Sequence, residues 1–266
     1  MVATMPEILT IAGSDSGGGA GVQADIKAIS ANGGYALSVI TSVTAQNTRA
    51  VALAHDLPPD VVRAQMDAIF ADFDIAATKT GMLASSAIVE AVADALAFHG
   101  ARNVVVDPVM VSHSGFPLLR RDALAILVER LFPLAAVVTP NATEAELLAG
   151  TRVHTVQDAR EAARRIAGLG CGAVVVKGGH LRESDATDVL YDGAEFLLIP
   201  GERLTQQSTH GAGCTYSAAL ATFLGRGCSL AEAAIAAKEY VTGAIRHAPR
   251  IGHGRGPTHH FWRFST

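Results

Sequence analysis

The chain has 266 residues, 49% hydrophobic and 17% charged, with 21 Lys and Arg against 25 Asp and Glu for a formal net charge of −4. That apolar content fills an α/β core, while balanced charge without like-charge blocks excludes a nucleic-acid or membrane surface and leaves a small-molecule substrate. Cys171, Cys214 and Cys228 lack C-x-x-C spacing, which excludes a disulfide framework and a zinc site, and the start MVATMPEILTIAG has no charged n-region or long apolar run, so a reducing cytoplasm is expected.

Short β-type runs alternate with helical patterns. Residues 8–12 read as a buried strand followed by a glycine loop, and a helix covers about 21–31, stopped by Asn32-Gly33-Gly34. Strands follow at 37–43 and about 50–54. Pro58 and Pro59 open the next helix, where proline suits the first turn. A strand at 75–78 leads to a helix over 84–99, whose Ile88, Val89, Val92, Ala95 and Leu96 share one face. Strands at 103–106, 135–138 and 173–176 end in Asp107-Pro108, Thr139-Pro140-Asn141 and Lys177-Gly178-Gly179. Residues 189–191 and 195–199, around Asp192-Gly193, read as a β-hairpin. Helices at about 214–224 and 230–246 come last. The alternation predicts a mostly parallel sheet covered on both faces, in a single domain over 1–266. Ligands of open α/β sheets bind at the carboxyl ends of the strands, where these polar and glycine residues gather.

The first loop holds five glycines between positions 13 and 21. Gly19-Ala20-Gly21-Val22-Gln23-Ala24 fits a loose dinucleotide pattern, but no Asp or Glu lies between Asp25 and Asp56 to meet a ribose, and no G-x-x-x-x-G-K-[ST] occurs. The loop suits close backbone approach to a different ligand. Asp25 is expected in the first turn of the next helix, where the plainer role is dipole complementation. Gln46 is expected just after its strand; its amide can pair with an aminopyrimidine edge or simply satisfy a turn. Met82 and Val109, also past strand ends, suit a flat ring or ordinary core. Asn141 and Glu144 fit a capping box, or can hold the waters of Mg²⁺ near phosphates. Lys177 can neutralise a transferring phosphate. The turn Gly211-Ala212-Gly213 running into a helix makes an anion cradle with Cys214 at its lip, and a helix N-terminus is expected to lower that thiol's pKa. None of the ten histidines pairs at metal-ligand spacing, and His259-His260 in the Gly/Pro-rich tail carries no expected chemistry.

Together the stretches LTIAGSDSGGGAGVQADIKA, SVITSVTAQNT, TKTGML, VVVDPVM, TPNATEAELL, VVVKGGH, THGAGCTYSAAL and GPTHHF, spanning residues 8 to 261, resemble the hydroxymethylpyrimidine/phosphomethylpyrimidine kinases of thiamine biosynthesis, within the ribokinase-like superfamily. The resemblance implies a three-layer α/β/α fold with a central, mostly parallel sheet. It implies ATP-dependent phosphorylation of 4-amino-5-hydroxymethyl-2-methylpyrimidine and then of its monophosphate, with Mg²⁺, in a cytoplasmic homodimer. By motif position, Gln46 would bond the pyrimidine, and Gly13, Ala20, Asp25, Met82 and Val109 would line its pocket. Lys177 would contact the ATP phosphates, Asn141 and Glu144 would serve Mg²⁺ and phosphate, and Gly211, Ala212, Gly213 and Cys214 would form the anion hole and catalytic position. Sugar kinases of the superfamily usually carry Asp where this chain has Cys214. The common Gly-Thr-Gly-Cys form is changed here by Ala212, which keeps the backbone donors. Two rival functions are a pyridoxine/pyridoxal kinase and a catalytically silent pyrimidine-binding domain.

Overall fold

The computed structural model describes residues 5–112, 115–182, 185–205 and 208–264. In chain order the main elements are β1 (Glu7–Asp15), α1 (Gly21–Ala31), β2 (Tyr35–Gln46), β3 (Val51–Asp56), α2 (Pro59–Phe70), β4 (Ile75–Thr80), α3 (Ser86–Phe98), β5 (Val104–Val106), α4 (Arg121–Ile126), β6 (Val137–Val138), α5 (Ala142–Ala149), α6 (Val156–Ala167), β7 (Val174–Val176), β8 (Asp188–Tyr191), β9 (Phe196–Ile199), α7 (Ala212–Gly225) and α8 (Leu230–Arg246). Among the described residues the strands form one nine-stranded sheet, ordered β3-β2-β1-β4-β5-β6-β7-β8-β9. The strands from β2 to β7 in that order run parallel. Antiparallel β3 borders one edge and the β8–β9 hairpin the other.

Alternation along each strand sorts the apolar side chains into two layers, because successive side chains leave opposite faces. Leu9, Ile11, Val104, Val106, Val174 and Val176 join the layer packed by Val62 and Met66 of α2, Ile88 and Leu96 of α3 and Ile166 of α6. Ile8, Val105 and Val175 join the opposite layer, with Ile29 of α1, Leu220 of α7 and Tyr240 of α8. The result is the expected α/β/α arrangement. After β1 the chain adds β2 on one side and later returns to add β4 on the other. That reversal opens a crevice at the carboxyl end of β1, where ligands bind in such sheets.

Three expectations need correction at strand and helix ends. β1 continues to Asp15 through an irregularity between Ala12 and Ser14, so Gly13, Ser14 and Asp15 belong to the strand and the loop is shorter. β2 continues to Gln46, held by pairing with β3 from Ser42–Asp56 to Gln46–Val51, so Gln46 ends the strand instead of following it. Asp25 is the fifth residue of α1, past the first turn, and it is fully buried. Dipole complementation at an exposed helix start is therefore not its role.

Candidate active site

The start of α7 is built around Gly211. Its φ is 77°, and a Cβ there would overlap the Gly19 carbonyl oxygen, so only glycine fits. The Ala212 N–H closes on the Thr209 carbonyl (3.1 Å) and the Thr215 N–H on the Gly211 carbonyl (2.8 Å). The amides of Gly213 and Cys214 fall between these bonds, in the first turn, where no intrahelical carbonyl is available. Among the described residues no side chain caps the helix. Among the described residues neither amide has a partner, so the positive end of a 14-residue helix meets the cavity with its donors open.

Lys177 stands beside this turn: a Cβ added to Gly213 would lie 3.3 Å from its Nζ. Its ammonium donates to Asp107 Oδ1 at 2.9 Å. Asp107 also accepts from Ser217 Oγ of α7 (3.1 Å) and Thr139 Oγ1 (3.3 Å), so it fixes Lys177 against the helix. Burial pushes Asp107 up, but Lys177 and Lys79 outweigh it and hold the carboxyl below its ordinary range. Beneath lies a second ion pair, Lys79 Nζ to Asp25 Oδ2 at 2.8 Å, with both side chains fully buried. Burial opposes the Lys79 charge, yet Asp25, Cys214 and Asp107 together keep its pKa raised.

Cys214 contradicts its sequence expectation. Burial pushes its thiol up to about 11; Lys79 pulls it down, but Asp25 and Asp107 add to the rise. A helix terminus favours a thiolate, but desolvation and the two carboxylates that the fold brings near work against it. At rest the residue is a thiol, not a thiolate.

Asn141 and Glu144 form a complete capping box at the start of α5. Asn141 Oδ1 accepts from the Glu144 N–H (3.0 Å), and Glu144 Oε2 accepts from the Asn141 N–H (2.8 Å). Burial pushes Glu144 up to about 7, Lys177 opposing and Asp107 adding. Among the described residues no group of three or more His, Cys, Asp or Glu is placed to hold a metal. With their inward atoms spent on the cap, Asn141 and Glu144 fit Mg²⁺ only through its waters, which suits an ion that keeps most of its hydration.

At the other end of the crevice, the Asp15 carboxylate collects the N–H groups of Gly17 (2.7 Å), Gly19 (3.0 Å) and Ala20 (2.8 Å) and the His210 ring (2.9 Å). Burial works against its charge, but the His210 bond and the Ala20 and Gly17 amides hold its pKa below the ordinary value. Gly13 lies close to Met82, whose Sδ would be 3.0 Å from an added Cβ. All these elements enclose a cavity of about 370 Å³. Gly13, Ala20, Gln46, Met82, Val109, Asn141, Glu144, Lys177, Gly211, Ala212, Gly213 and Cys214 line it, as do His210 and Asp107. Asp25 stands behind the wall as the partner of Lys79, so its expected place in the lining is corrected. The cavity continues past Gly179 and Arg203 to Val241, Thr242 and Ile245 of α8, leaving room for a second ligand.

Sequence reasoning missed Asp15, Lys79, Asp107 and His210. Lys79 and Asp107 did stand at strand ends, the one signal available. His210 had none beyond its place next to Gly211. In the C-terminal tail, His260 Nε2 lies 3.0 Å from Thr215 Oγ1, behind the first turn of α7.

The profile of a family described as phosphomethylpyrimidine kinase matches residues 15–259, and the chain belongs to that family. A hydroxymethylpyrimidine/phosphomethylpyrimidine kinase of Rhizobium meliloti is 51% identical over 261 residues, covering 96% of this chain and 97% of that protein. The thiamine biosynthesis bifunctional protein ThiED of Geobacter sulfurreducens is 49% identical over 253 residues; the match covers 95% of this chain and 52% of that protein, so this chain spans about half its length. Among solved structures, an ADP complex of Bacillus subtilis pyridoxal kinase superposes with a TM-score of 0.92 at 39% identity, covering 99% of this chain and 100% of that one. Phosphomethylpyrimidine kinase from Clostridium difficile gives 0.80 at 40% identity, covering 90% and 99%. The fold is ribokinase-like, as the resemblance implies.

Proposed function

We propose that this member of the phosphomethylpyrimidine kinase family transfers the γ-phosphoryl group of ATP to the hydroxymethyl oxygen of 4-amino-5-hydroxymethyl-2-methylpyrimidine, and then phosphorylates the monophosphate to the diphosphate. The observation that carries this reading is the uncapped start of α7, with Lys177 beside it, in the same cavity as Gln46. It agrees with the names of the relatives that match nearly the whole chain.

Phosphoryl transfer passes through a loose transition state, so positioning and charge neutralisation matter more than covalent chemistry. In this reading the Gly213 and Cys214 amides and the Lys177 ammonium meet the equatorial oxygens, and Asp107 holds Lys177 in place. Gln46 bonds the aminopyrimidine edge, while Gly13, Ala20, Met82 and Val109 pack on the flat ring. Asp25 acts from behind, by keeping Lys79 paired. Mg²⁺, when bound, neutralises phosphate charge, with Asn141 and Glu144 holding its waters. The nucleoside of ATP occupies the extension toward α8. In the first step Cys214 accepts the hydroxymethyl proton through its small thiolate fraction. In the second step the acceptor is already an anionic phosphate and needs no base. A homodimer working in the cytoplasm completes the proposal.

Purified protein incubated with Mg-ATP and the hydroxymethylpyrimidine, with pyridoxine in parallel, tests this by mass spectrometry of the products. The expected result is pyrimidine monophosphate followed by diphosphate. The likeness to a pyridoxal kinase favours one second reading. Pyridoxine phosphate as the sole product would establish it, and no product from either compound would leave a silent pyrimidine-binding domain.

A further inference from the structure

Gln46 is placed by two neighbours, and their chemistry decides which way its amide points. One end of the amide lies 3.3 Å from His210 Nε2 and the other 3.1 Å from Thr44 Oγ1. His210 Nε2 is also 2.9 Å from the Asp15 carboxylate, an acceptor only, so this nitrogen carries a proton and cannot accept another. Thr44 Oγ1 already gives its one proton to the Ser14 carbonyl at 3.0 Å. An amide with nitrogen toward His210 would oppose two donors and ask Thr44 for a second proton. With oxygen toward His210, the amide faces an N–H that Asp15 holds at the shorter distance and shares with it, and with nitrogen toward Thr44 it donates to a free Oγ1 lone pair; no donor then faces a donor, and amide orientation is assigned on such grounds.

The histidine that imposes this choice is itself fixed. A Cβ on Gly19 would lie 2.5 Å from its Cδ2, and its backbone N–H donates to the Gly256 carbonyl at 3.1 Å. Once oriented, the amide still has one lone pair on oxygen and one N–H, on a residue that lines the cavity. A 4-aminopyrimidine edge offers the complement, an exocyclic N–H next to a ring nitrogen. The fixed polarity puts the amino group on the His210 side. Its ring neighbour, the 5-hydroxymethyl group, then extends on the His210 side, where Gly211 follows and leads into the first turn of α7 with Cys214. The opposite polarity would put that group on the Thr44 side.

We infer that His210, locked by Asp15, is a positioning residue that sets the Gln46 amide and thereby selects a 4-aminopyrimidine and aims its hydroxymethyl group at the start of α7. The inference rests on the pyrimidine kinase reading above. The test compares the aminopyrimidine with the analogue carrying hydrogen in place of the 4-amino group, as Kd by calorimetry and as first-step KM and kcat. The wild type is expected to prefer the aminated compound by about tenfold. His210→Leu, which keeps bulk but removes the donor, should abolish most of that preference by weakening the aminated compound alone, and His210→Gln, which keeps an N–H, should restore it. The double variant with Gln46→Ala should be no worse than Gln46→Ala by itself. A His210→Leu protein that keeps the tenfold preference, or that loses both compounds equally, overturns the inference and leaves the kinase assignment standing. Should His210→Leu not fold, Thr44→Val removes the other anchor and is read the same way. A wild type that phosphorylates neither compound overturns the kinase reading, and the inference with it.

Discussion

The first turns of α5 and α7 face the same cavity, and they finish their N-termini in opposite ways. At α5, Asn141 and Glu144 satisfy each other's backbone amides, so two donors of that terminus are closed by side chains. At α7, Gly211 takes the left-handed conformation in place of a capping side chain, and among the described residues the amides of Gly213 and Cys214 have no partner. A capped terminus contributes stability, whereas an open one contributes a binding site for negative charge. Two motifs that both suggested phosphate chemistry therefore separate: in the proposed reading the α7 turn receives the transferring group, and the α5 turn is a side-chain-capped neighbour whose carboxylate acts through charge.

The sharpest way to break this comparison is to spoil the open terminus. Gly211→Ala puts a Cβ into the Gly19 carbonyl at a φ that L-residues avoid. The loss of aligned donors should lower single-turnover phosphorylation by about 10²–10³-fold, the scale of an oxyanion-hole donor. Circular dichroism on the same sample separates this from unfolding. A folded variant with near-normal turnover would show that the α7 amides do not bear the charge.

Cys214→Ala keeps the open terminus and removes only the thiol. The first phosphorylation should fall by about 10²-fold, at the low end for proton-transfer catalysis because the thiol is mostly protonated. The second step should stay within a few-fold. Since burial pushes the thiol up to about 11, the thiolate fraction grows with pH through the neutral range. The wild-type first step should accelerate from pH 7 to 9, and the variant should not. Equal losses in both steps would remove Cys214 from proton transfer.

How far this contrast was legible in the sequence follows from where each partner sits. Runs such as Val104–Val106 and Val174–Val176 are apolar at every position and fully enclosed, so they announce buried parallel strands. The ends of β1 and β2 are more polar, and pairing with each other, with β3 and with the α1 start holds them extended, so composition alone ends them early. The Gly-Ala-Gly turn was readable because glycine there is a backbone requirement. His210 was not, since its partner Asp15 is 195 residues away. Lys177 was readable at a strand end, but Asp107, 70 residues earlier, became its counter-ion only because β5 and β7 flank β6 in the parallel sheet. The Cys214 expectation used the helix dipole, a local property, and missed burial and two carboxylates, which are tertiary.

The closed terminus has its own test. Asn141→Ala removes the acceptor for the Glu144 N–H and should cost about 1 kcal/mol of folding stability, the usual value of a lost N-cap. Urea denaturation measures it directly. No change in stability would mean that the cap is not formed in solution, and α5 would then resemble α7.

Glu144→Gln gives the smallest effect and the most informative one, because a glutamine can still close the cap. The Glu144 pKa in the folded protein is about 7, above its ordinary value of 4.5, chiefly through burial. Between those two values the folded protein holds a proton that the unfolded chain has released, so this group's contribution is fully present below pH 4.5 and is lost as pH rises through 7. Wild-type stability should therefore fall, relative to Glu144→Gln, as pH is raised from 5 to 8. Binding runs in the opposite direction: the ionised carboxylate favours the hydrated cation that accompanies ATP, so the wild-type KM for Mg-ATP should drop a few-fold over the same interval and that of the variant should stay level. If KM is flat in both proteins while the stability slopes differ, Glu144 serves the helix alone, and the phosphate chemistry of this cavity belongs entirely to the open start of α7 and Lys177.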